Sequence, residues 1–208
     1  MQSAMSKRCY HMEGGISIMT KNVLLVGVGG QGTILAAKLL TQGLMEAGYD
    51  VKMSEIHGMS QRGGSVSSHV RYGEKVESTT INPGEADMLV SFEKMEALRE
   101  LKFLKPDGLA VVNEHEMPSM PILTGDAVYP DYAVDEIKKH VKTITLDATK
   151  MAVELGNGKA ANIVLLGTII KAMGLENIDW EKIIRENVKP AFVDVNLKAV
   201  RCGMEAVS

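Results

Sequence analysis

The stretch 27–32, with the sequence GVGGQG, constrains the fold more than any other part of the chain. It follows the apolar run 22–26 (NVLLV) and leads into a helical pattern from Thr33 to Ala47. A strand, a glycine-rich turn and a helix in this order are typical of phosphate-binding elements, because glycines let the backbone turn tightly and approach a diphosphate, while the helix N-terminus offers free N–H groups. The candidate cofactor-binding residues at this turn are Gly27, Gly29, Gly30, Gln31 and Gly32.

The spacing of Gly27, Gly29 and Gly32 matches the GxGxxG pattern of dinucleotide-binding folds, and Glu55 near the end of the second predicted strand would take a ribose hydroxyl there. An NAD(P)-dependent oxidoreductase is therefore one hypothesis. Against it, the chain has no second domain for a substrate and no base clearly placed for hydride transfer. A third interpretation is that the glycines only permit close packing of helix and strand.

Composition indicates a globular chain and narrows the classes of site. The 208 residues are 45% hydrophobic and 24% charged, which predicts one α/β domain over residues 21–208. A net charge of -3 gives no electrostatic reason to expect nucleic acid or an anionic membrane as partner. Two cysteines, Cys9 and Cys202, are too few for a four-thiolate iron–sulfur cluster or a Cys₄ zinc site, so we expect no metal site and a cytoplasmic location.

Residues 1–20 contain no continuous apolar segment of the kind found in secretory signals. They also contain four methionines, each a possible start. We expect them to form a disordered extension ahead of the domain.

Periodicity predicts the remaining elements. A second strand at 51–56 follows the first helix, and the alternation of apolar and polar residues from Val66 to Tyr72 predicts a strand with one polar face. Residues 76–81 would be its hairpin partner. Later strands are expected at 87–92, 108–113 and 143–146, with helices at 93–103, 133–140, 148–155, 161–173, 180–187 and 190–204. The predicted fold is α/β: a Rossmann-like open, mostly parallel sheet with an inserted β-hairpin and a helical C-terminal part.

The loop 55–65 (EIHGMSQRGGS) lies just past the carboxyl end of the second strand, where open α/β sheets bind ligands. Arg62 could pair with a phosphate or carboxylate, and His57 could carry a proton, so both are catalytic candidates. The alternative is a solvated surface loop. His69 and Arg71 either extend this polar surface or occupy an exposed strand face. The further candidate cofactor-binding residues in the loop are Ser60, Gln61, Arg62, Gly63 and Gly64.

The stretch 156–162 (GNGKAAN) feeds a glycine-rich turn into an apolar helix. Lys159 and the helix N-terminus could bind an anion. A helix C-cap followed by a new helix explains the same residues without a ligand.

Taken together, GVGGQG, then SEIHGMSQRGGSVSSHVR, then GNGKAANIVLLG and NLKAVRCG resemble the gamma-type subunit of 2-oxoacid:ferredoxin oxidoreductases. Within that family the resemblance is greatest to the beta subunits of indolepyruvate:ferredoxin oxidoreductases. It covers about residues 21–203, and the HGMSQRGG run is its most specific part.

The resemblance implies a subunit, inactive alone, of an enzyme that oxidatively decarboxylates an aryl pyruvate to acyl-CoA and carbon dioxide and reduces ferredoxin. It implies that thiamine diphosphate, Mg²⁺ and the iron–sulfur clusters belong to a large partner subunit, and that coenzyme A is a co-substrate. This chain would complete the complex and help to position substrate or coenzyme A, with the 27–32 turn and Arg62 near an anionic diphosphate. A purely structural interaction subunit remains the alternative.

Overall fold

The computed structural model describes residues 19–58 and 63–207. The expectation of a disordered extension therefore falls almost entirely on residues outside the described chain. The same holds for the candidate site residues Ser60, Gln61 and Arg62, which lie outside the described residues.

The described chain forms one α/β sheet structure whose elements agree closely with the predicted ones. Residues 114–132 contain one short helix, and the predicted helix 93–103 ends in a turn of 3₁₀-helix. The elements in chain order are β1 (Lys21–Val28), α1 (Thr33–Glu46), β2 (Asp50–His57), β3 (Ser65–Gly73), β4 (Ala86–Ser91), α2 (Lys94–Glu100), β5 (Leu104–Asn113), α3 (Met120–Leu123), α4 (Ala133–His140), β6 (Lys142–Leu146), α5 (Ala148–Glu154), α6 (Ala161–Ala172), α7 (Trp180–Asn187) and α8 (Val193–Glu205).

The six strands lie in the order β2-β3-β1-β4-β5-β6. Strands β1, β4, β5 and β6 pair in parallel, whereas β3 is antiparallel to both β1 and β2. Strand β2 therefore runs in the same direction as β1 but is separated from it by β3. The predicted fold class, an open and mostly parallel sheet with an inserted hairpin, is confirmed, and the hairpin is formed by β2 and β3.

The prediction that residues 76–81 pair with β3 as a hairpin strand is wrong. Strand β3 has β1 on one edge and β2 on the other over its whole length, so no edge is left for a third strand. Residues 74–84 instead cross a face of the sheet without strand structure. The Ile81 N–H donates to His69 Nδ1 at 3.1 Å, and Arg71 donates to the Thr80 carbonyl at 2.9 Å.

His69 and Arg71 consequently do not extend the polar surface of the loop. His69 is only 2% exposed and packs edge-to-face on Phe103, with ring centroids 5.8 Å apart. Arg71 also donates to Asn22 Oδ1 at 2.9 Å. Burial, with a smaller contribution from the Arg71 charge, lowers the pKa of His69. The polar face of β3 thus anchors the chain segment that covers it.

The lowered pKa of His69 predicts a loss of stability in mild acid. Between its folded-state pKa and its ordinary value of 6.5, the unfolded chain binds the proton more readily, so this contribution to stability is complete above 6.5 and declines as pH falls. His69→Asn retains an acceptor for the Ile81 N–H but does not titrate. Urea unfolding of both proteins from pH 7.5 to 5.5 is expected to show a steeper decline for the wild type, by no more than about 1.4 kcal/mol per pH unit for one proton. If the free energy of unfolding fell equally with pH in the two proteins, the lowered pKa of His69 in the folded chain would be contradicted.

Alternation along β1 divides the core between the two faces of the sheet. Val23 and Leu25 pack in a cluster with apolar residues of α1, α5, α6, α7 and α8, while Leu24 and Val26 pack with residues of α2 and α4. The run NVLLV is apolar on both sides because both faces of a parallel sheet are covered by helices. This arrangement buries β1 at the centre of the molecule and leaves its carboxyl end free to carry the glycine turn.

Candidate functional site

The glycine turn and residues 58, 63 and 64 meet at the carboxyl end of β1. Val28 at the end of β1 pairs with Ser65 at the start of β3, and the Gly29 N–H donates to the Gly64 carbonyl at 2.9 Å. The Gly58 N–H closes the loop by donating to the Ser65 carbonyl at 3.0 Å. The structure therefore brings Gly58, Gly63 and Gly64 beside the turn, as predicted from the order of strands.

The side-chain amide of Gln31 stabilises the glycine turn by hydrogen bonds to the backbone on both sides of it. Its Oε1 accepts the Val28 N–H at 2.7 Å, and its Nε2 donates to the carbonyl of Phe92, just after β4, at 3.1 Å. A Cβ atom at Gly27 would lie 2.7 Å from Gln31 Oε1 and 2.9 Å from Phe92 Cβ, so a side chain there would displace the amide. Both Gln31 polar groups are thus used by the protein, which makes Gln31 a brace of the turn.

The backbone of the turn is exposed where a ligand would lie. Gly30 has φ +104° and Gly32 has φ +83°, conformations that favour glycine, and a Cβ atom at Gly30 would meet nothing within 4 Å. Gly32 is the N-cap of α1 and provides no side-chain cap. The N–H groups of the first three residues of α1 have no acceptor among the described residues, so they are available to an anion together with the positive end of the helix dipole.

An open cavity of about 610 Å³ lies against this backbone. Its described lining contains no Asp or Glu side chain, and the first turn of α1 contains no acidic residue. The described walls of the cavity therefore offer N–H donors and contain no carboxylate side chain. The described lining residues are Gly29, Gly30, Gly32, Thr33, Ile34, His57, Gly58 and Val66.

His57 is brought to the cavity as predicted, and Glu55 stands behind it. The Nε2 atom of His57 lies 3.4 Å from Glu55 Oε2, and Glu55 Oε1 is shielded from solvent without a hydrogen-bond partner among the described residues. Because β3 separates β2 from β1, Glu55 lies on a strand about 10 Å away from β1, twice the usual spacing of neighbours. A dinucleotide fold would place this acidic residue on the adjacent strand.

The buried carboxylates of Glu93 and Glu96 lie at the start of α2, on the face of the sheet opposite α1, and hold the start of β3 in place. The Ser65 hydroxyl donates to Glu96 Oε2 at 2.5 Å, while Glu93 accepts the Glu96 N–H at 2.9 Å and also the Tyr129 hydroxyl. Burial raises the pKa of Glu96, against the opposing effect of the Ser65 hydrogen bond. Burial, then the bond to Glu93, likewise raise the pKa of Tyr129. The cluster ties Ser65, where the loop returns to the sheet, to α2.

A contact that the sequence does not reveal joins the third glycine-rich stretch to the turn. The Asn162 side chain, 5% exposed at the start of α6, packs on Gly32, and its Nδ2 lies 3.4 Å from the Gly32 carbonyl oxygen. A Cβ atom at Gly32 would lie 2.6 Å from this nitrogen. The two stretches are 130 residues apart, and nothing in either pattern indicates that they touch.

In the described chain, no group of three or more His, Cys, Asp or Glu side chains is placed to hold a metal ion. None of the helices formed by residues 19–58 and 63–207 is long and apolar enough to cross a membrane.

Comparison with known proteins identifies the family. Residues 22–206 match the model of the family described as pyruvate ferredoxin/flavodoxin oxidoreductase. The indolepyruvate oxidoreductase subunit IorB of Thermococcus kodakarensis is 41% identical over 193 residues, which cover 89% of this chain and 95% of that protein. The chain belongs to this family. As a member of the pyruvate ferredoxin/flavodoxin oxidoreductase family, it is related to subunits of 2-oxoacid:ferredoxin oxidoreductases, and the resemblance based on its motifs is confirmed.

Solved structures show the same fold in this family. The gamma subunit of the keto/oxoacid ferredoxin oxidoreductase from Geobacter sulfurreducens superposes with a TM-score of 0.67 at 23% identity, covering 90% of this chain and 98% of that one. A 2-oxoglutarate:ferredoxin oxidoreductase chain from Magnetococcus marinus, solved with 2-oxoglutarate, coenzyme A and succinyl-CoA bound, superposes with a TM-score of 0.71 at 18% identity. The match covers 90% of this chain but 31% of that one, so there the fold is part of a longer chain.

Proposed function

We propose that this chain is the cluster-free subunit of a 2-oxoacid:ferredoxin oxidoreductase acting on an aryl pyruvate, and that its glycine turn binds the diphosphate of coenzyme A. The cavity at 27–32 carries the proposal, because it presents uncapped N–H groups, an open Gly30 and no described acidic lining residue. Relatives named as indolepyruvate oxidoreductase subunits support the aryl pyruvate, and the coenzyme A bound by the Magnetococcus marinus enzyme supports the co-substrate.

The chemistry is divided between two subunits in this proposal. The large partner subunit holds the thiamine diphosphate, Mg²⁺ and iron–sulfur clusters that supply decarboxylation and electron transfer to ferredoxin. The present chain has only two cysteines, too few for a four-thiolate cluster. Its own residues bind and orient: the N–H groups of α1 hold the diphosphate, Gln31 keeps the turn rigid, and Arg62 adds a guanidinium to the same anion.

The dinucleotide alternative is less favoured by the position of Glu55. With β3 inserted, the acidic residue that would take the ribose hydroxyls lies one strand too far from the turn. In coenzyme A the ribose 3′-oxygen carries a phosphate, so the pair of free hydroxyls that such an acidic residue would bind is absent.

An interaction role accompanies ligand binding. Segment 114–132 exposes several large apolar side chains. The hydrogen bond from the Tyr129 hydroxyl to the Glu93 carboxylate holds the segment against the rest of the protein. Exposed apolar clusters of this kind mark interaction surfaces. We propose that this segment faces the large subunit. Its exposed apolar residues, the last of them just before α4, are Met120, Leu123, Val128 and Tyr132.

Arg62→Ala is the direct test of the phosphate role of the loop. In the complex reconstituted with the large subunit, calorimetry is expected to show coenzyme A binding weakened about tenfold, since a charge-assisted hydrogen bond contributes about 1.5–3 kcal/mol. Arg185→Ala removes an exposed guanidinium of α7 that pairs with Glu181 and serves as the control. If the Arg62→Ala variant assembles normally and the complex binds coenzyme A with unchanged affinity, Arg62 does not contact the diphosphate. Binding of NAD(P)H in place of coenzyme A would favour the dehydrogenase.

A further inference from the structure

The outer edge of the sheet at β2 has no hydrogen-bond partner among the described residues. Strand β2 is the first in the sheet order and pairs with β3 alone. The Gly58 N–H donates to the Ser65 carbonyl at 3.0 Å in the register of this pair, so the even-numbered residues of β2 bond to β3 and the odd-numbered ones direct their backbone groups outward. The outward N–H and C=O groups are those of Val51, Met53, Glu55 and His57.

This edge lacks the features that usually prevent a further strand from pairing. Exposed edges are commonly blocked by a proline, a bulge, a short strand or a free lysine. Strand β2 has eight residues, contains no proline and pairs with β3 without a register shift. Its only lysine, Lys52, forms an ion pair with Asp50 of the same strand. The edge strand on the opposite side, β6, has five residues. The β2 edge is therefore open to a further strand.

An apolar hollow of about 380 Å³ adjoins this edge on the face of the sheet that α1 covers. Met53 of β2 and Met45 of α1 line it, and Met45 is 60% exposed. The Thr41 hydroxyl lies 3.3 Å from Met53 Sδ, which places residue 41 of the helix beside residue 53 of the strand. An added strand would thus bring apolar side chains into contact with both methionines. The other lining residues are Lys38, Gln42 and Glu46.

The charges beside the hollow have opposite sign on its two sides. At 1.5 Å per residue, Lys38 and Glu46 lie roughly 4.5 and 7.5 Å from Thr41 along α1, in opposite directions. Lys38 is exposed and has no carboxylate oxygen within 4 Å in the described chain. Glu46 pairs with Lys182, but each carboxylate oxygen can accept a second bond. A two-fold axis at Met53 reverses α1 and brings Lys38 of one copy close to the level of Glu46 of the other. The surface is therefore complementary in charge to itself.

We propose that two copies of this chain pair through β2, antiparallel and about a two-fold axis at Met53, so that one sheet continues through both copies. Odd-numbered residues then face odd-numbered residues, which joins the outward N–H groups of each copy to the carbonyls of the other. The Met53 side chains meet at the axis, and Met45 of each copy packs beside them. The axis is perpendicular to the sheet, so the glycine turn and segment 114–132 of each copy stay uncovered by this contact. The pairing is independent of the ligand that the glycine turn binds.

Sedimentation equilibrium of the full chain, over a roughly 100-fold range of concentration, tests the pairing. The wild type is expected to reach twice the mass of one chain. Lys38→Glu and Glu46→Lys are each expected to raise the dissociation constant of the dimer about 100-fold, because each creates two like-charged pairs across the axis. An equimolar mixture of the two variants is expected to recover the wild-type affinity, because both pairs then join opposite charges. Lys198→Glu, on the exposed side of α8, makes the same charge change as Lys38→Glu and is the control, with unchanged affinity.

Hydrogen exchange of the backbone amides locates the contact. The outward amides of Val51, Met53 and Glu55 are expected to exchange slowly in the dimer and rapidly in the Lys38→Glu chain under the same conditions. Urea unfolding of each variant checks that the fold is kept. A wild type that stays monomeric throughout, alone and when bound to the large subunit, would overturn the proposal. So would a dimer that the single variants leave intact, or one whose outward β2 amides exchange as fast as in the monomer, because either would show that the copies meet at another surface.

Discussion

Replacing Gly203 with alanine is expected to lower the free energy of unfolding by about 3 kcal/mol. A Cβ atom at this position would lie 1.9 Å from the Val164 carbonyl oxygen and 2.8 Å from its carbon. These are backbone atoms of α6, so they cannot rotate aside as a side chain would, and α6 and α8 would have to separate. Gly167 on the facing helix is in the same position, with its Cβ atom 2.2 Å from the Val200 carbonyl oxygen.

Whether Gly203→Ala lowers or raises the free energy of unfolding distinguishes the effect of helix packing from that of intrinsic helix propensity. In an isolated helix, alanine is favoured over glycine by about 1 kcal/mol, so propensity alone predicts a more stable variant. Guanidinium unfolding of Gly203→Ala and Gly167→Ala is expected to show losses for both. Lys198→Ala, on the exposed side of α8, should change stability by less than about 0.5 kcal/mol. A Gly203 variant as stable as the wild type would show that the two helices do not cross in contact.

Element positions could be read from the sequence because local patterns determine them. The apolar run before Gly27, the alternation from Val66 to Tyr72 and the glycine or proline at most boundaries each mark a strand or a helix end without reference to the rest of the chain. The pairing of strands could not be read in this way. Residues 76–81 have a strand-like composition, but whether they form a strand depends on a free edge, and β2 had already occupied it.

The close crossing of α6 and α8 was equally inaccessible from the sequence. Gly167 lies in the apolar helix predicted at 161–173, and Gly203 lies near the end of the last predicted helix. Neither glycine is unusual for its position when it is considered alone. Only the contact between them explains why neither position carries a side chain.

The candidate site was predictable in its location and only partly in its roles. The turn after β1 and the loop after β2 lie at the same edge because the two strands run in the same direction. Their contact, from Gly29 to Gly64, depends on the insertion of β3 between those strands. That Gln31 would use its amide to brace the turn, and that Asn162 would reach Gly32 from α6, depends on side-chain geometry. The roles of Ser60, Gln61 and Arg62, which lie outside the described residues, stay predictions.

Ile34→Asp is expected to weaken coenzyme A binding by the complex about 100-fold. Ile34 lines the cavity in the first turn of α1, so a carboxylate there would lie about 5 Å from a bound diphosphate and would repel it by about 3 kcal/mol per charge pair at an effective dielectric constant of 20. The helix itself should tolerate the change, because an acidic residue in the first turn interacts favourably with the helix dipole by about 0.3–1 kcal/mol.

Ile34→Asn is the matched control, since it has nearly the same shape as Asp and loses the same apolar contacts but carries no charge. Calorimetry is expected to give an affinity for coenzyme A within about threefold of the wild type for Asn, and the full loss for Asp alone. The loss should shrink as salt is raised, because screening weakens the repulsion. Equal losses for the two variants would mean that Ile34 contributes only apolar contact, and that the N-terminus of α1 does not hold the anion.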